Sequence, residues 1–125
     1  MEASNLKVTL ESIDASIAKS KAAIERGKKL ERLKQNPDFI DVILDGYIEV
    51  EAKKLFTILT NPTGASPYTN EEIHLKLEAI SHFKGYVGTD GYEGTVEIDA
   101  KRAPDEIFRE ESYRNEVTAR AANGE

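Results

Sequence analysis

Apolar positions near the start of the chain fall into a long helical pattern. Leu6, Leu10, Ile13, Ile17, Ser20, Ile24 and Gly27 alternate spacings of four and three residues. That is the heptad seam along which one helix lies against another. Beyond Gly27 the apolar residues are Leu30 and Leu33, which leave the earlier phase, so the stripe turns to a new face. A glycine inside a helix costs roughly 1 kcal/mol relative to alanine. Gly27 therefore marks either close backbone packing or mild bending, or else a hinge between two parts of the helix that meet different partners.

Asn36-Pro37-Asp38 ends this helix near Gln35 and starts the next. Asn36 suits an N-cap, Pro37 the first helical position, and Asp38 the positive end of the helix dipole. The second helix is expected from Pro37 to about Thr60. Phe39, Ile40, Ile43, Leu44, Tyr47, Ile48, Leu55, Phe56 and Leu59 give it about two apolar stripes, which predicts that it is sandwiched between neighbours and forms the core. Residues 61–67, with two prolines and a glycine, form a loop. Thr69 and Glu72 then have the spacing of a capping box. The third helix presents Ile73, Leu77, Ile80, Phe83 and Val87 on its inner face.

Glycine recurs at every third position from Gly85 to Gly94, and helix is not expected to persist through that stretch. Residues 95–100 alternate polar and apolar, which predicts an extended or β segment. Asp90-Gly91 is placed to close a hairpin between Tyr86-Val87 and that segment. Pro104-Asp105-Glu106 is read as the first turn of a last helix. Its apolar content is thin (Ile107, Phe108, Tyr113, Val117), so it is either frayed alone or fixed by a partner. The predicted fold is mainly α: a long N-terminal helix and helical hairpin, a third helix, a short glycine-rich loop with a β segment, and a C-terminal helical arm. The corresponding regions are a helical core over 1–87, the loop and extended segment over 88–103, and the arm over 104–125.

Composition narrows the chemistry. A chain of 125 residues with 39% apolar and 7% aromatic side chains makes one thinly cored domain, leaving few bulky groups to wall an enclosed substrate pocket. Without cysteine there is no disulfide, thiol nucleophile or thiolate metal site. Net charge is −6, which disfavours nonspecific attraction to nucleic acid or anionic membrane. It is unevenly spread. Residues 1–36 carry eight Lys/Arg against five Asp/Glu, and residues 37–125 carry nine against eighteen. No apolar run approaches the roughly 18 residues of a membrane span, and no secretory signal is legible. A soluble protein made and used without crossing a membrane is the expectation.

No constellation points to catalysis. Asp38, Asp41, Asp45 and Glu49 share one face of the second helix, but a single row lacks the convergence a metal needs; ion pairing or solvation is the plainer reading. Seven cations lie between Lys19 and Lys34, with no interleaved aromatic and no helix-turn-helix spacing. They read as a solvated or internally paired face, then as a contact for an acidic protein, then for nucleic acid without base readout. His74 and His82, each four residues from Glu78, read as ordinary helix-surface groups. The glycine-rich stretch lacks a phosphate-binding pattern and carries Asp90 and Glu93, which repel phosphate. No catalytic, cofactor or metal residue is expected. The candidate partner-interface residues are Leu6, Leu10, Ile13, Ile17 and Ile24 on the seam, Tyr86 and Tyr92 in the glycine-rich stretch, and Ile107, Phe108 and Tyr113 in the arm.

Leu30-Glu31-Arg32-Leu33, Asn36-Pro37-Asp38-Phe39, Val42-Ile43-Leu44 and Gly46-Tyr47 resemble a group of small helical proteins encoded in the structural gene cluster of tailed bacteriophages. The likeness continues through Ala79-Ile80, Phe83, Gly94-Thr95-Val96-Glu97-Ile98, Ala103-Pro104 and Tyr113-Arg114, over roughly residues 25–118. Residues 88–94 look like a small insertion relative to that group. The resemblance implies a non-enzymatic virion component near the head or portal, present in the host cytoplasm before assembly. Its partners would be capsid or portal proteins or copies of itself, with no specific nucleic acid and no membrane. The alternative expectation is a phage-encoded helical adaptor or inhibitor that binds a basic host protein through the acidic surface. A weaker third is an enzyme using the carboxylate row with a metal.

Overall fold

The computed structural model describes residues 3–61, 66–89 and 91–124. Its regular elements are all helical: α1 (Ala3–Lys34), α2 (Pro37–Phe39), a π-helix π1 (Ile40–Glu51), α3 (Ala52–Thr60), α4 (Asn70–Val87) and α5 (Thr95–Ala122). The mainly α reading holds. Among the described residues, no helix is long and apolar enough to cross a membrane. Of the loop expected over 61–67, residues 62–65 lie outside the described residues.

The helix boundaries at Asn36 and Thr69 follow from side-chain caps. The Asn36 carboxamide oxygen accepts from the N–H of Asp38 at 2.9 Å and of Phe39 at 3.3 Å. This satisfies donors that a new helix leaves without internal partners. The Thr69 hydroxyl accepts from the Glu72 N–H at 3.1 Å, while the Glu72 carboxylate receives the Thr69 N–H, completing the capping box. The helical run from 37 to 60 is unbroken as expected, but its central 12 residues adopt the wider i→i+5 turn rather than the α turn.

Two expectations fail after Gly94. Residues 95–100 are the opening turns of α5 and not an extended segment, and Pro104 lies inside that helix rather than at its start. The reason is a second periodicity hidden in the same letters. Val96, Ala100, Ala103 and Ile107 recur at spacings of four and three, a helical stripe, and Val96 and Ala103 along it are buried. The alternation of 95–100 matched a strand because Ile98, which is off that stripe, falls midway between Val96 and Ala100.

The chain divides into two compact units, Met1–Lys28 with Ile98–Glu125, and Lys29–Glu97. In the first, α1 and α5 run antiparallel. Gly27 lies against Ala100, Ser20 donates to the Glu106 carboxylate at 3.2 Å, and Arg114 pairs with Asp14 at 3.4 Å. Ile13, Ile17 and Ser20 are buried on α1, and Ala103 and Val117 on α5. A Cβ on Gly27 would stand 2.6 Å from the Ala100 Cβ, so that glycine marks close packing, and α1 passes from the first unit to the second just beyond it, after Lys28.

The second unit holds two apolar clusters. Leu30, Ile48, Val87 and Val96 form one, flanked by Leu44, Tyr47 and Phe83. Leu55, Ile73 and Ile80 form the other, flanked by Leu59, Leu77 and the same Tyr47. Tyr47 bridges the clusters and meets Phe83 edge to face, with ring centroids 5.7 Å apart. The inner face expected for α4 is the one observed. The 37–60 run is less enclosed than its apolar content suggested, because Val42, Val50 and Phe56 remain exposed.

Candidate docking cleft

The glycine-rich stretch between α4 and α5 is a tight turn. Gly88 ends α4 with φ +74°, and its N–H donates to the Lys84 carbonyl at 2.9 Å. Thr89 and Tyr92 then exchange backbone hydrogen bonds at 3.2 and 2.8 Å. The hairpin expected to pair Tyr86-Val87 with residues 95–100 is thus reduced to this single bridge, because residues from Thr95 onward are committed to α5. Asp90, expected at the hairpin tip, lies outside the described residues.

Gly88 and Gly94 are both buried and leave no room for side chains. A Cβ on Gly88 would lie 2.6 Å from the Glu97 carboxylate and from the Gly94 nitrogen, and a Cβ on Gly94 would run into the Gly88 backbone. The turn is held by backbone contact, yet its largest side chain, Tyr92, is 73% exposed.

Beside this turn lies an open cleft of about 820 Å³. Ile40, Leu44, Asp45 and Glu49 of π1 form one wall. The other side is made by Lys84, Gly88, Thr89, Tyr92 and Glu93, with Lys34 and Glu97 completing the lining. The Lys34 ammonium donates to the Glu97 carboxylate at 2.6 Å. Four carboxylates and two ammonium groups line the cleft.

The π geometry creates this wall. In an α-helix, nine residues span about two and a half turns, so Ile40 and Glu49 would face opposite ways. The wider i→i+5 turn makes nine residues close to two full turns, and both then face the same side. Ile40, Leu44, Asp45 and Glu49 follow the mixed spacing of four and five residues that this turn requires. In the sequence, Ile40 and Leu44 read as core while Asp45 and Glu49 read as part of a solvated row. The structure brings the four together. The four-and-five spacing was the one available signal, and α periodicity hides it.

The residues expected at partner interfaces divide into covered and open groups. Ile13 and Ile17 are buried within the first unit, while Leu6, Leu10, Ile24 and Ile107 are half-buried. In the middle of the seam, Ile13 and Ile17 are thus buried on α1, which packs with α5 of the same chain, while Leu6, Leu10 and Ile24 keep part of their surface open. Alanines at 100 and 103 allow that helix to approach closely. Tyr86, Tyr92, Phe108 and Tyr113 remain exposed, Phe108 to 72%. Of the ten, Tyr92 alone lines the cleft.

The cleft lining includes no histidine among the described residues. Among the described residues, no three His, Asp or Glu side chains come together as a metal would require. The arrangement is suited to receiving a cationic group beside apolar and aromatic surface. Set against protein-family models, curated proteins and solved structures, the chain matches none of them.

Proposed function

We propose that this chain is a non-enzymatic structural or assembly component of a tailed-phage virion, positioned near the head or portal and acting through protein–protein contacts. The observation that carries the contact part is the placement of Tyr92, an aromatic side chain held open to solvent by a turn whose backbone is fixed at Gly88 and Gly94. Rigidly presented tyrosines give large contact area for little ordering cost. The virion part rests on the resemblance of residues 25–118 to small helical proteins of phage structural gene clusters.

Mass spectrometry of purified particles tests this reading. A fixed stoichiometry relative to the major capsid protein is expected. Absence from both mature particles and assembly intermediates would overturn it.

A second reading, a helical adaptor or inhibitor on a basic host protein, draws on the acidic balance of residues 37–125 and on the carboxylates of the cleft. It predicts a salt-sensitive complex with one host protein and no incorporation into particles.

A further inference from the structure

We infer that the cleft walled by π1 and the Gly88–Gly94 turn docks a Lys- or Arg-bearing segment of a second protein. The inference rests on the reading of this chain as a contact protein, and is independent of whether that contact is made in a virion.

Charge selects the occupant. Asp45, Glu49 and Glu97 outnumber Lys34 and Lys84 in the lining, and the Lys34 ammonium is already engaged by Glu97 at 2.6 Å. An acidic segment entering here would be repelled, whereas a cation would offset the excess. Shape and surface agree with this. Ile40 and Leu44 are half-buried and offer apolar wall to the aliphatic stem of a lysine or arginine, with Asp45 and Glu49 on the same π face for its charged head. The exposed Tyr92 ring stands in the same lining, and a tyrosine face attracts guanidinium and ammonium groups. Aliphatic wall, carboxylates and aromatic ring are the three surfaces that a long basic side chain uses together.

The test uses the full chain and an acetylated, amidated oligolysine peptide as probe, with oligoarginine and oligoglutamate counterparts. Binding is followed by anisotropy and mapped by amide chemical shifts. Shifts are expected to concentrate at residues 40–49 and 91–93 with the basic peptides, and to be absent with oligoglutamate. Asp45→Asn with Glu49→Gln should weaken oligolysine binding roughly tenfold. Asp105→Asn with Glu111→Gln removes the same charge from exposed positions on α5, and should weaken it no more than about twofold. Tyr92→Ala should reduce oligoarginine affinity without changing the fold, as judged by circular dichroism. Equal losses in the two charge variants, or shifts spread along α5, would overturn the inference. So would a concentration-dependent dimer that the cleft variants abolish while no peptide binds, because a second copy would then be the occupant. Particle mass spectrometry is unaffected by these outcomes, so failure here and failure of the virion reading are separable.

Discussion

Lys34, in the last turn of α1, donates its ammonium to the carboxylate of Glu97, in the first turn of α5, at 2.6 Å. Each charge stands at the helix end whose dipole favours it, so the pair gains from both dipoles as well as from its own attraction. Both side chains are partly exposed, which limits its worth. Glu97→Gln is expected to cost about 1 kcal/mol in urea unfolding at low salt, and clearly less near 1 M salt. Lys34→Met with Glu97→Gln should cost no more than either change alone. Full additivity would show that the pair does not couple.

Gly27 and Ala100 set the approach of α1 to α5. Gly27→Ala would ordinarily gain about 1 kcal/mol of helix propensity. Here the new methyl meets the Ala100 Cβ at 2.6 Å, and overpacking of this kind costs about 1–3 kcal/mol. A net loss of about 1 kcal/mol is therefore expected, recovered in part by adding Ala100→Gly. Thermal melts of the two single variants and the double variant check it. A stabilised Gly27→Ala would mean that the helices do not approach as described.

Pro104 sits inside α5, where its nitrogen cannot donate to the Ala100 carbonyl. Pro104→Ala restores that donor in a helix already formed on both sides. Stability should rise by about 1–3 kcal/mol, with no loss of helical circular dichroism signal. A loss of stability would show that the helix begins at Pro104, as the sequence alone suggested.

Gly88 and Gly91 separate backbone strain from crowding. Both have positive φ, but a side chain at Gly91 meets open space, whereas one at Gly88 meets the Glu97 carboxylate and the Gly94 backbone. Gly91→Ala is expected to cost about 1 kcal/mol, the usual penalty for a left-handed alanine. Gly88→Ala should cost more, and should also remove the salt sensitivity assigned to Lys34 and Glu97. Equal costs would mean that Gly88 is not crowded.

What the sequence revealed depended on whether local chemistry was sufficient. The caps at Asn36 and Thr69 are satisfied within three residues by their own side chains, so their letters predict them correctly. The inner face of α4 follows a plain α period, and it was legible for the same reason. The start of α5 was not, because Val96, Ile98 and Ala100 alternate as in a strand, while Val96 and Ala100 are also one helical turn apart. Only the distant partners of Val96 and Ala103 decide between them. The cleft was hidden more deeply still, since Asp45 and Ile40 share a surface only if the turn between them is wider than α.

That wider turn is the claim on which the cleft and its proposed occupant depend. It is tested most directly by NMR couplings through the backbone hydrogen bonds of residues 40–51. The Gly46 amide should couple to the carbonyl of Asp41, five residues back, in line with the close approach of that oxygen to Gly46. Coupling to the carbonyl of Val42 instead would show an ordinary α turn, turn Glu49 away from Ile40, and dismantle the cleft wall.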